Sequence, residues 1–128
     1  MSEQFENGDE TKIQYYHAHV YYGDSDEARE KAARLREKVW NRWPDRVEMG
    51  RYRDTAVGPH PQAMYQIEFG PELFPEIVPW LMYNRDGLSI MVHPEAEDAW
   101  RDHAWYPLWL GDKLELRLDW LAAGNRAA

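Results

Sequence analysis

With no cysteine in the chain, metal binding and acid–base chemistry rest on five histidines and the carboxylates around them. Two of these, His17 and His19, lie in the run Tyr15-Tyr16-His17-Ala18-His19-Val20-Tyr21-Tyr22. A run this rich in aromatic and β-branched residues predicts a strand. Side chains alternate faces along a strand, so His17 and His19 share one face with Tyr15 and Tyr21. Two imidazoles side by side can serve as metal ligands or as an acid–base pair, or they can be half-buried residues hydrogen-bonded to neighbours. His60 stands between two prolines in Gly58-Pro59-His60-Pro61, which restrict the backbone on both sides of it. That stiffness suggests a positioned side chain, although a plain turn with an exposed histidine would read the same. His93 precedes Pro94, and His103 follows Asp102.

The elements that must position these residues follow from periodicity. A first strand spans about 13–22. Gly23 to Glu27 then turns the chain, and Asp24 with Glu27 has capping-box spacing for a helix. Ala28, Ala32, Leu35 and Val39 recur at helical spacing and carry that helix to about Trp43. Arg46–Arg53 predicts a second, edge strand, and Asp54–Pro61 a loop. Gln62–Phe69 predicts a third strand, with Tyr65, Ile67 and Phe69 on one face and Met64, Gln66 and Glu68 on the other. Pro71–Asn84 has a helical apolar pattern, against which Pro75 and Pro79 count. Leu88–His93 predicts a fourth strand, Glu95–Ala104 a short acidic helix, Trp105–Gly111 an irregular aromatic stretch and Lys113–Leu118 a last short strand. Residues 1–12 read as a disordered tail, 13–121 as a single domain and 122–128 as a C-terminal tail.

Strand–helix–strand–strand–helix–strand is the split βαβ pattern, so the predicted fold is α+β, a ferredoxin-like βαββαβ sandwich with a C-terminal aromatic extension. In that architecture the first strand lies between the third and fourth. His17, His19, Gln66, Glu68 and His93 then share the sheet face away from the helices, on strands about 4.8 Å apart. The tryptophan-rich segment 100–120 is available to cover that face. Neutral imidazole suits Fe, Zn, Cu and Ni, and two histidines with one carboxylate is a pattern of non-heme Fe(II) enzymes. A closed structural zinc site would usually include cysteine.

Composition narrows the function further. A net charge of −8 argues against nucleic acid and against anionic membrane surfaces. No apolar run approaches the roughly 20 residues of a membrane span, and the acidic start has no signal-peptide character. The cytoplasm is the expected compartment. Fourteen per cent aromatic residues, including seven Trp, exceeds what a core alone needs.

His17-Ala18-His19-Val20-Tyr21, Gly58-Pro59-His60-Pro61, Leu88 to Pro94, and Asp102-His103 followed by Trp109-Leu110-Gly111 together resemble the DOPA 4,5-dioxygenase family of small extradiol ring-cleaving enzymes, over about residues 14–118. The resemblance implies a non-heme Fe(II) enzyme, a homodimer, with a catechol such as DOPA or caffeate and dioxygen as its small-molecule partners. It implies His19 and His93 as metal ligands. The family pattern Tyr-Glu-Ile stands here as Tyr65-Gln66-Ile67, so the third ligand is either Glu68 or His17. His60, with His17 beside it, is the implied acid–base residue. Tyr21, Trp105 and Trp109 are candidate walls of a ring pocket, and His103 a residue on the substrate side. Arg53, with Arg51 or Arg101, is a candidate partner for a substrate carboxylate. Two other readings fit the same residues: a metal-free protein binding an aromatic ligand on the same dimeric scaffold, and another metal-dependent activity such as hydrolysis or isomerisation with Zn or Mn.

Overall fold

The alternation in the first run is realised in strand β1, Tyr15–Tyr21, in a computed structural model that describes residues 4–122. The further elements are α1 (Asp26–Arg42), β2 (Val47–Met49), β3 (Met64–Phe69), α2 (Phe74–Asn84), β4 (Ser89–Glu95), α3 (Ala99–Ala104), β5 (Leu108–Leu110) and α4 (Leu118–Ala122). The sheet is antiparallel with order β2-β3-β1-β4-β5, so β1 lies between β3 and β4. The fold is α+β, as the element pattern predicts.

Each helix has a sequence cause. Ser25 caps α1 by accepting the Ala28 N–H at 3.1 Å, and not Asp24 as the capping-box spacing suggests. Ala32, Leu35 and Val39 are the buried stripe of α1. Pro71 and Pro75 fall in the first turns of a short 3-10 turn and of α2, where a missing N–H costs nothing; Pro79 lies inside α2 and removes a donor there. The core between helices and sheet comprises Ala18, Val20 and Tyr22 of the first run with Tyr65, Ile67, Phe69, Ile90 and Val92, packed on Leu35, Val39, Ile77 and Leu81. Each fully buried aliphatic side chain there contributes about 1.5–3 kcal/mol. The Tyr65 hydroxyl donates to the Ala32 carbonyl at 2.6 Å and ties sheet to helix.

Three segments depart from the sequence expectation. The fifth strand is Leu108–Leu110, paired to β4, and Lys113–Leu118 is not a strand. Leu114 and Leu116 alternate because they pack on Tyr21, Met64 and Met91, covering one side of the sheet without joining its ladder. Glu95 ends β4, and α3 starts only at Ala99, capped by Asp98. Within the expected disordered tail 1–12, Phe5 packs against Trp105 and Tyr106, and Glu10–Lys12 form a 3-10 turn. Residues 1–3, and 123–128 of the expected C-terminal tail, lie outside the described residues.

Candidate metal centre

Register builds the site. His17 stands opposite Glu68 on one side and His93 on the other, and His19 stands opposite Gln66 and Met91. Opposed residues share a face, so His17, His19 and His93 converge as the alternation predicts. The 54–61 loop brings His60 to the same place. Gly58 adopts φ +57°, a conformation that favours glycine. Arg117 staples the loop, its N–H bonding to the Pro59 carbonyl and its guanidinium to that of Gly58, each at 2.8 Å. His103 arrives on α3. Asp102 Oδ2 accepts the Ala96 N–H at 3.0 Å and holds that helix against the end of β4. All five imidazoles are buried, His19 and His93 completely.

Two groupings of possible ligands result, His17–His19–His93 and His19–His60–His103, each offering nitrogens within 4.8 Å of one another. His19 belongs to both. Glu68 belongs to neither: its Oε1 lies 3.0 Å from His17 Nε2, and Glu95 Oε1 lies 3.2 Å from His17 Nδ1. Glu68 thus engages Nε2 in a hydrogen bond, whereas Nδ1 is buried without one despite the nearby Glu95 oxygen, and His17 stays in the first grouping. Burial alone would lower the His17 pKa, but the carboxylates of Glu95 and Glu68 outweigh it and raise the value.

The other histidines are arranged differently. His93 Nδ1 donates to the Pro94 carbonyl at 2.9 Å, and His103 Nδ1 donates to the Ala99 carbonyl at 2.6 Å. A carbonyl can only accept, so Nδ1 carries the proton in both and Nε2 keeps its lone pair, the arrangement of a metal-ligating histidine. His103 Nε2 is buried with no hydrogen-bond partner, as is His60 Nε2. His19 Nε2 and His93 Nε2 are 3.0 Å apart. Nitrogens each about 2.1 Å from one ion would stand roughly 3.0–3.4 Å apart. The separation is that of a direct imidazole–imidazole hydrogen bond and equally that of two ligands of one divalent metal. His60 Nδ1 lies 2.7 Å from the Tyr21 hydroxyl.

Burial, then repulsion from neighbouring imidazoles, drives His19 and His93 well below the ordinary 6.5; it lowers His103 and takes His60 down to about 3. Below about 6.5 the unfolded chain therefore takes up protons that four folded imidazoles refuse, so stability falls as pH falls. His17 works in the opposite sense: its contribution is complete below 6.5 and is lost as pH rises through its raised folded value. Four groups oppose one. The melting temperature of metal-free protein is expected to drop between about pH 7 and pH 5. A flat or rising profile over that range would contradict the four neutral imidazoles.

Other candidates fall into place around this centre or away from it. Trp109 stacks on Tyr21, centroids 6.1 Å apart and planes at 16°. Tyr21 itself is a hydrogen-bond partner of His60 as well as a wall. Trp105 packs on Phe5, Trp100 and Tyr106, away from the imidazoles. Arg101 pairs with Glu6 at 3.1 Å. Arg51 and Arg53 line a cavity of about 180 Å³ with Met64, Gln66 and Trp120, one strand over from Tyr21 and His19. Sequence reasoning missed Arg117, for which nothing local gives a signal, and the ligand-ready state of His103.

Comparison with known proteins gives this centre a context. Residues 16–120 match the model of the Dopa 4,5-dioxygenase family. An uncharacterized 21.2 kDa protein of Botryotinia fuckeliana is 35% identical over 112 residues, 80% of this chain and 61% of that protein. DOPA 4,5-dioxygenase of Amanita muscaria is 32% identical over 114 residues, 85% of this chain and 50% of that enzyme. The chain thus spans about half to three-fifths of the length of the curated relatives it matches. The crystal structure of a candidate dioxygenase from Nostoc punctiforme aligns with TM-score 0.83 at 46% identity, covering 91% of this chain and 98% of that one. The names of the family and of this neighbour indicate a dioxygenase. Among the described residues, no helix is long and apolar enough to cross a membrane.

Proposed function

The chain belongs to the Dopa 4,5-dioxygenase family, and from that premise we propose that it is a non-heme Fe(II) dioxygenase that opens the ring of a catechol beside its hydroxyls. His19 and His93 would hold the metal, with His103, which shares a grouping with His19 and not with His93, as the third ligand. The observation that carries this assignment is the pair of backbone carbonyls, of Pro94 and Ala99, that fix the His93 and His103 protons on Nδ1 and leave both Nε2 atoms with a lone pair. Iron bound there would supply a template for catechol and dioxygen and pass electron density between them.

The remaining work falls to the chain's own side chains. His60, neutral through burial, shares a 2.7 Å hydrogen bond between Nδ1 and the Tyr21 hydroxyl; in the tautomer with the proton on Nδ1, the partnerless Nε2 carries the lone pair that serves as base. It takes a catechol hydroxyl proton at Nε2 and can return it later. Tyr21 stays a phenol because burial raises its pKa, and it holds the His60 ring in orientation. His17, between Glu68 and Glu95, braces His19 and His93 through ring contacts at 5.8 and 5.2 Å. Trp109 walls the side beyond Tyr21.

Substrate class follows from the arginines. Among those described, Arg51 and Arg53 alone have no ion pair, side-chain hydrogen bond or ring contact, whereas each of the others has one. Their cavity lies beside the centre and suits a carboxylate carried by the catechol. Arg53→Gln is expected to raise KM about 10- to 100-fold for caffeate, with little change for 4-methylcatechol. Equal effects on both substrates would remove Arg53 from substrate binding.

Anaerobic loading with Fe(II), followed by catechols in air, tests the activity itself. Oxygen uptake with a new visible product should require iron and fail with Zn(II). Tight catechol binding without uptake would favour a binding protein, and turnover with Zn(II) without uptake another metal-dependent activity.

A further inference from the structure

A second cavity, of about 350 Å³, lies on the opposite side of the sheet from the histidines, where the start of β1, the end of β4 and the start of α2 meet residues 8–13 and α3. It has the size of a small-molecule site. Three aromatic side chains line it, Tyr16, Phe74 and Tyr106, with Tyr16 and Phe74 only 4.7 Å apart by ring centroid. Val92 and Leu108 add apolar wall. The same lining carries five carboxylates, of Asp9, Glu10, Glu97, Asp98 and Asp102, against the two cations of Lys12 and Arg101. Both cations already have partners, Lys12 at Glu97 and Arg101 at Glu6.

Asp102 is the group that points to a ligand. Its residue is 2% exposed, and one oxygen, Oδ2, accepts the Ala96 N–H. The other oxygen has no hydrogen bond among the described residues, although the residue lines the cavity. That oxygen is not sealed off, so it stands open to a donor that enters the cavity. We propose that this cavity binds a small organic ammonium, its cationic head on Asp102 and its apolar body between Tyr16, Phe74 and Tyr106. Aromatic faces attract such cations and an acidic rim concentrates them, whereas an anion of the same shape is repelled. This site is separate from the metal centre and needs neither iron nor oxygen.

Calorimetric titration of the full chain with three probes of one shape tests it: phenethylammonium, phenethyl alcohol and phenylacetate. The ammonium should bind at least about tenfold more tightly than the alcohol, and phenylacetate should not bind. Asp102→Asn keeps an acceptor for Ala96 and should weaken the ammonium at least tenfold, with the fold verified by circular dichroism. Equal binding of alcohol and ammonium would overturn the proposal, as would no ammonium binding up to the millimolar range or an unchanged affinity in Asp102→Asn. The wild-type probe series decides the matter even if that variant does not fold.

Discussion

Replacing His19 with alanine is expected to remove metal binding and ring cleavage together. His19 belongs to both groupings of nearby nitrogens, and its Nε2 faces that of His93 at 3.0 Å. Loss of a group that merely orients a ligand costs 10- to 100-fold in metal affinity, so loss of a ligand should cost at least about 100-fold. His93→Ala and His103→Ala should behave alike, whereas His17→Ala should keep the iron, because its nitrogens face Glu68 and Glu95. Iron content after anaerobic loading and desalting reads this directly. A full complement of iron in His103→Ala would remove His103 from the ligand set and return the third position to His17.

His60→Ala should keep its iron and lose turnover. A positioned acid–base side chain contributes about 10²- to 10⁴-fold, so kcat should fall within that range while the metal content stays at the wild-type level. The stiff loop and the Arg117 staple hold His60 in place independently of any ion. Iron loss in His60→Ala would instead make it a ligand, as the grouping of His19, His60 and His103 permits.

Much of this centre was legible in the sequence because strand alternation assigns faces without ambiguity. Once Tyr15–Tyr22 reads as a strand, His17 and His19 must point away from Ala18 and Val20, and so they do. Register is a property of paired strands and cannot be read from one of them. Glu68 shows the consequence: it lies on the expected face, but standing opposite His17 it forms an ion pair there and does not reach the ligand groupings. Alternation also reports one-sided burial and not pairing. Leu114 and Leu116 gave a strand-like signal while packing as a lid, and Leu108–Leu110, in a segment read as irregular, forms the edge strand. His103 was the hardest to place, since its role depends on how a six-residue helix docks through Asp102 onto the end of β4. The spacing from His103 back to Ala99 gives the proton-fixing carbonyl, but nothing in the sequence says where Nε2 then points.

The most direct test of ring-cleaving dioxygenase chemistry is mass analysis of the product formed by the iron-loaded protein under isotopically labelled dioxygen with a carboxylated catechol. Both labelled oxygen atoms should appear in a single ring-opened product, and none should appear without iron. A ring that stays closed, or a product carrying no label from dioxygen, would contradict it.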